Sequence, residues 1–205
     1  RKYACPSWKS SASRIRAILI MQTIGELQKK VRNASQLRIT NSVDESSDEL
    51  LNMKSYSGVV EYFPEELVIT VKAGTLIRDI SQTLRKKNQA LPFFIEDDEK
   101  TIGSLYANAG SDLSDSVLGI QIINGKGDLL NFGGQVMKNV AGYDVSRLLV
   151  GSMGRLAVIT QISFKVFPEK MAQERRVKLE KKNDHSPLRK QIEKKLKDVF
   201  DPYGV

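Results

Sequence analysis

The 205-residue chain contains one cysteine, Cys5, and one histidine, His185. A lone cysteine cannot close an intrachain disulfide or build a cysteine metal site, and such scarcity points to a reducing compartment. No His/Cys/carboxylate spacing suggests a metal, and His185 sits in a charged tail where it reads as a solvated side chain. Long apolar runs are missing as well. The longest near the start, Ala17-Ile18-Leu19-Ile20-Met21, falls far short of the roughly 20 residues that a membrane span needs. Residues 1–20 also lack the small-residue cleavage site of a secretion signal. No G-x-G-x-x-G opens a βαβ unit and no Walker loop is present, which excludes Rossmann and P-loop nucleotide sites. There are no internal repeats. The chain opens on Arg1 rather than methionine, so it reads as a fragment or as carrying an upstream extension; Met21, directly ahead of a helix signal, reads as the native start.

What is present is an ordinary globular composition, 40% apolar and 27% charged, with a formal net charge of +8. That charge is unevenly placed. Residues 1–38 hold nine Lys/Arg against one acid, residues 39–164 eleven against sixteen, and residues 165–205 twelve against seven. The middle is acidic and the ends are basic. A nucleic-acid-binding face needs clustered bases interleaved with aromatics on the folded body, and none is found. The basic ends therefore read as solvated surface.

Thr23-Ile24-Gly25-Glu26 has capping-box spacing, so residues 23–32 are expected to form a short helix. Strands are expected at 37–40, 50–53, 58–62 and 67–72, with a polar loop at 41–49. Gly74-Thr75 opens a helix carrying Ile77, Ile80 and Leu84 in register. Thr101 to Gly110 reads as a helix of small residues with a threonine N-cap and a glycine stop. Asn124-Gly125-Lys126-Gly127, between strands at 117–123 and 128–132, is a hairpin signal. A long strand is expected over 156–167. Residues 169–187 form a charged linker, and Leu188, Ile192 and Leu196 mark a C-terminal amphipathic helix.

Two segments carry the chemistry. The start of the 101–110 helix offers N–H groups to an anion such as a phosphate, although a helix packed closely on a sheet has the same composition. The turn Gly151-Ser152-Met153-Gly154 either contacts a cofactor through its backbone or merely enters the strand behind it. Lys138, Tyr143 and Asp144 are catalytic candidates, but Asp144 fits equally as the N-cap of a helix running to Leu149.

The run Phe132-Gly133-Gly134-Gln135-Val136-Met137-Lys138-Asn139-Val140-Ala141-Gly142-Tyr143-Asp144, continued through Gly151-Ser152, resembles flavoproteins of the p-cresol methylhydroxylase/vanillyl-alcohol oxidase type. Among them it closely resembles the E subunit of bacterial glycolate oxidase. The segments 56–62, 64–75, 91–93, 101–103 and 196–205 extend the resemblance, so that it covers about residues 22–168 and 188–205. It implies an α+β fold of two lobes with FAD lying between them. The implied organisation is an N-terminal extension at 1–21, an FAD-binding domain at 22–168 with lobes at 22–95 and 96–168, the linker 169–187 in place of a substrate-covering cap, and a C-terminal helix and tail at 188–205. Implied cofactor contacts are Thr40, Asn41 and Ser42 in the first loop, Thr101, Ile102, Gly103 and Ser104 at the small-residue helix, Gly151 and Gly154 in the turn, and Val158 and Ile159 behind it. No catalytic residue is assigned and no metal is expected.

Three departures from the family pattern stand out. The first loop runs Thr40-Asn41-Ser42-Val43-Asp44-Glu45, with two carboxylates where the family has glycines and basic residues; those charges repel a pyrophosphate. Ser114 stands where an arginine is expected. The cap is missing, and the body has no histidine to supply substrate-side groups. The resemblance thus implies an FAD-binding subunit of a glycolate- or 2-hydroxy-acid-oxidising complex, working in hydride or electron transfer with partner flavoprotein and iron–sulfur subunits. It implies no nucleic-acid partner and a cytoplasmic location, any attachment to the inner membrane being made through a partner. The alternative is a non-catalytic scaffold of the same fold that has lost FAD.

Overall fold

The computed structural model describes residues 23–40, 50–93, 95–135, 144–174 and 187–201. The first element, α1 (Ile24–Asn33), begins as its capping box dictates: Thr23 Oγ1 accepts from the Glu26 N–H, and the Glu26 carboxylate accepts from the Thr23 N–H at 2.7 Å. Its apolar stripe buries Leu27 and Val31 completely. Two short parallel strands follow, β1 (Arg38–Thr40) and β2 (Leu50–Asn52).

The body is one antiparallel sheet. In space its order is β3 (Val59–Phe63), β4 (Val68–Lys72), β8 (Val158–Lys165), β6 (Val117–Ile123) and β7 (Leu129–Gly133). Central strands must bury both faces, and β4 and β8 accordingly are Val/Ile-rich with almost every residue buried. Their few polar side chains are paired: Thr70 and Ser163 share a hydrogen bond of 2.8 Å, and Thr160 Oγ1 donates to the Gln121 carbonyl at 2.9 Å. Helix α2 (Ile77–Arg85) turns Ile77, Ile80 and Leu84 into the core. After it come β5 (Gln89–Ala90), α3 (Ile102–Asn108), a 3-10 turn (Ser111–Ser116), and α4 (Val145–Leu148). The chain then closes through β9 (Phe167–Pro168), α5 (Glu169–Glu174) and α6 (Pro187–Phe200).

Three expectations are corrected. The lobe boundary at 95/96 does not follow the sheet, because β3 and β4, expected in the first lobe, pair through β4 with β8 in five-residue register. What stands apart is the small unit of β1 and β2. The strand expected at 156–167 is split: β8 ends at Lys165 opposite Val68, the Val166 N–H bonds to the Leu67 carbonyl at 2.8 Å, and β9 leaves to pair with β5. The linker expected from 169 starts as helix α5, held by a fully buried Ala172. The hairpin signal is realised at Asn124, whose side chain accepts the N–H groups of Lys126 and Asp128 while Gly127 takes a φ of +77°.

Candidate functional site

At the end of β4 the chain must pass under its neighbours with no side chain in the way. A Cβ on Gly74 would overlap the Met53 carbonyl. One residue earlier, Ala73 bonds through its N–H to the Thr160 carbonyl of β8 at 2.8 Å. Helix α3 lands on this point: Gly103 donates its N–H to the Ala73 carbonyl at 2.8 Å, and a Cβ there would lie 2.8 Å from both Ala73 Cβ and its carbonyl oxygen. The small residues of α3 are thus first of all a packing requirement.

The glycine turn is fastened to the other end of the same helix. Gly151 and Met153 donate their N–H groups to the Tyr106 and Ala107 carbonyls at 3.0 and 2.8 Å, satisfying acceptors that a helix C-terminus leaves open. Three residues take positive φ in the process, Gly151 at +73°, Met153 at +55° and Gly154 at +70°, a conformation glycine adopts without the Cβ penalty. Tyr106 anchors the arrangement from beneath. It is fully buried and its phenol donates to the Ser146 carbonyl in α4. Burial, and secondarily the Asp144 carboxylate, push its ionisation well above the ordinary value, so the phenol keeps its proton.

These fastenings enclose a cleft of about 140 Å³ lined by Ile39, Met53, Ala73, Thr101, Gly103, Ser104, Ala107, Asn108, Met153, Gly154 and Ile159. The segments 101–104 and 151–159, distant in sequence, meet on it. Of the expected contacts, Thr101, Gly103, Ser104, Gly154 and Ile159 face the cleft, and Val158 lines a smaller cavity next to it. Thr40, Ile102 and Gly151 are not in its lining: Ile102 is fully buried, Gly151 is bonded through its N–H to the Tyr106 carbonyl, and the Thr40 carbonyl accepts the Met53 N–H at 3.0 Å. Asn41 and Ser42 lie outside the described residues, as do Lys138, Tyr143 and His185. Ile39, Met53, Ala73, Ala107 and Asn108 were not anticipated. The Ser104/Asn108 spacing of one helical turn was the available signal for Asn108.

Of the two readings of the helix start, close packing on the sheet is the one the hydrogen bonds fit. The N–H groups of Ile102, Gly103, Ser104 and Leu105 go to Thr75 O, Ala73 O, Thr101 Oγ1 and Thr101 O at 2.8–3.2 Å. None is left for a phosphate. Asp144 is an N-cap: it accepts from the Arg147 N–H at 3.1 Å and from the Ser146 hydroxyl at 2.6 Å, and pairs with the Arg147 guanidinium at 2.9 Å. Among the described residues the cleft lining has no charged side chain. Among the described residues no cluster of His, Cys, Asp or Glu could hold a metal ion, and no helix is long and apolar enough to cross a membrane.

An antiparallel sheet with a small parallel unit and a neutral cleft between them, floored by glycines, defines a domain of the p-cresol methylhydroxylase/vanillyl-alcohol oxidase type. A solved structure of alkyldihydroxyacetonephosphate synthase shares this fold, with a TM-score of 0.57 at 20% identity over 70% of this chain and 30% of that one. The sequence pattern described as FAD binding domain matches residues 16–133, more than half of the 205, and the chain belongs to that family. Its cofactor is FAD. The chain is 44% identical over 132 residues to glycolate oxidase subunit GlcE of Escherichia coli (strain K12), covering 60% of this chain and 38% of that protein. It is 29% identical over 133 residues to glycolate oxidase subunit GlcD of Bacillus subtilis (strain 168), covering 58% and 27%. It therefore spans well under half the length of these curated relatives.

The cleft fits part of such a cofactor. Gly154 presents bare backbone where a Cβ would come within 3.2 Å of Ile39 Cδ1, and the Ser104 hydroxyl has no partner among the described residues. A mostly apolar wall with one free hydroxyl accepts a flat ring or a sugar hydroxyl.

Proposed function

We propose that this chain is the flavin-holding part of a subunit in a glycolate- or 2-hydroxy-acid-oxidising complex. The observation that carries the proposal is the convergence of Gly103, Ser104, Gly154 and Ile159 on one neutral cleft. Ile39, Met53 and Ile159 would cover the apolar surface of the cofactor and exclude water there. Ser104 would hydrogen-bond to it, and Gly154 would let backbone approach it closely. When bound, FAD supplies the acceptor for a hydride or for electrons.

The same lining favours a relay over substrate oxidation by this chain alone. Removing a proton from a 2-hydroxy acid calls for a titratable side chain within hydrogen-bond reach, and none of the described residues of the cleft wall carries one. The proton-accepting group would come from a partner flavoprotein subunit, with electrons passed on to an iron–sulfur subunit. The complex would be cytoplasmic, reaching the inner membrane only through a partner.

The second reading, a scaffold of the same fold without flavin, is favoured by the occupied N–H groups of α3. The visible absorption spectrum of the purified chain separates the two, recorded before and after incubation with FAD and desalting. Retained flavin bands are expected. A flat spectrum after FAD addition leaves only the scaffold.

A further inference from the structure

Two of the described residues that line the cleft are methionines, Met53 and Met153, and they differ in what else they meet. Met53 is 4% exposed. Met153 is 44% exposed, so the same residue bounds the cleft and meets solvent. Its backbone is pinned to the end of α3, the N–H donating to the Ala107 carbonyl at 2.8 Å, with φ at +55°. That conformation carries a steric cost for a residue with a Cβ, which glycine would avoid. Among the described residues one further methionine, Met171 in α5, is 39% exposed and is not in the cleft lining. Met53 thus has the cleft without the solvent, Met171 the solvent without the cleft, and Met153 both.

We propose that Met153 is a modification site in the cofactor wall: a peroxide converts its thioether to the sulfoxide, and the sulfoxide weakens the hold on flavin. The inference rests on the FAD site proposed above. In the step a sulfur lone pair attacks one peroxide oxygen, an S–O bond forms and the O–O bond breaks. The departing hydroxide takes the proton of the transferred oxygen and leaves as water; sulfur is oxidised and the peroxide reduced, each by one electron pair. The product places a polar, chiral group in a wall otherwise built by Ile39, Met53 and Ile159, where the flexible apolar thioether had been. An apolar ring against that wall loses contact, and the new dipole competes for water. Enzymatic reduction of the sulfoxide reverses the change.

The test treats the full chain with dilute hydrogen peroxide, with and without FAD. Peptide mass spectrometry follows each methionine, and titration follows flavin affinity. Without FAD, Met153 and Met171 should take up oxygen at similar rates, about tenfold ahead of Met53, as their exposures imply. Bound FAD should slow Met153 about threefold or more and leave Met171 as it was. Oxidised wild type should bind flavin about three- to tenfold more weakly, and methionine sulfoxide reductases should restore it. Met171→Leu should lose as much affinity as wild type, whereas Met153→Leu should hold its own untreated value. Three outcomes would each overturn the modification site alone: a loss that persists in Met153→Leu, full conversion of Met153 with affinity unchanged, or no protection of Met153 by FAD. Failure of the untreated wild-type chain to take up FAD overturns the site reading, and the role of Met153 with it.

Discussion

At the start of α3, Gly103 stands with its bare Cα against the Ala73 carbonyl; in the turn before β8, Gly154 stands with its bare Cα against open space bounded by Ile39. Both belong to short runs containing small residues, and both invite a reading as cofactor contacts. The first has no free donors because the turn after β4 and its own cap already take them. The second has positive φ, a cleft on one side and a narrower cavity on the other. A glycine that lets protein approach protein is spent on the fold. One that faces a gap remains available to a ligand.

Substitution at the two positions should separate these roles, with the larger effect at Gly103. Gly103→Val drives side-chain atoms into Ala73, whose Cβ and carbonyl are already 2.8 Å from an added Cβ, so a loss of about 3 kcal/mol is expected from overpacking. Urea unfolding would show it, and flavin retention would vanish because the domain does. Gly154→Ala has only Ile39 Cδ1 to displace, at 3.2 Å, and a φ of +70° to tolerate, for about 1 kcal/mol. Its flavin affinity should fall by more than its stability does. Equal losses at both positions on both readouts would erase the distinction.

Tyr106 tests the joint that holds the two segments together. Tyr106→Phe leaves the Ser146 carbonyl without its buried donor, costing about 1–2 kcal/mol. The tyrosine also sets a pH dependence. Its ionisation in the folded state is raised above the ordinary 10.0 by burial and then by Asp144. Its contribution is therefore fully present below pH 10.0 and is lost as the pH climbs beyond it, because the unfolded chain releases the proton first. Wild type should lose stability above that pH more steeply than Tyr106→Phe; parallel curves would count against the buried, protonated phenol.

Much of this architecture was legible because it is local. The capping box at Thr23, the hairpin at Asn124-Gly125 and the N-caps at Thr101 and Asp144 each depend on residues within four positions of one another. Strand pairing is not local. Nothing in residues 59–72 announces that β4 will lie beside β8 rather than close a lobe of its own, since an apolar run buries equally well against either neighbour. The site divides in the same way. Ser104 and Gly154 are visible as types suited to a cofactor, whereas Ile39 and Met53 look like ordinary apolar residues until β1 and β2 are folded over the cleft. The occupied N–H groups of α3 were illegible for the converse reason. Their acceptors, Ala73 and Thr75, are supplied by the chain some 28 positions earlier, as the Gly103 to Ala73 pairing shows by its numbering (30 positions) and Ile102 to Thr75 by its own (27).

The smallest expected effect on stability falls at Ser104, and it is the one that isolates ligand from fold. Its N–H bonds to Thr101 Oγ1 and its carbonyl to the Asn108 amide, both through the backbone, so Ser104→Ala keeps every hydrogen bond the described structure assigns to it. Alanine is also the better helix former. Stability should therefore change by no more than about 0.5 kcal/mol. Ser104 lines the cleft, and losing one hydrogen bond to a bound group weakens it about three- to tenfold. A flavin titration of Ser104→Ala beside wild type reads that difference directly. An unchanged affinity would mean that the cleft accepts nothing through Ser104, and the candidate site would contract to the Gly154 turn.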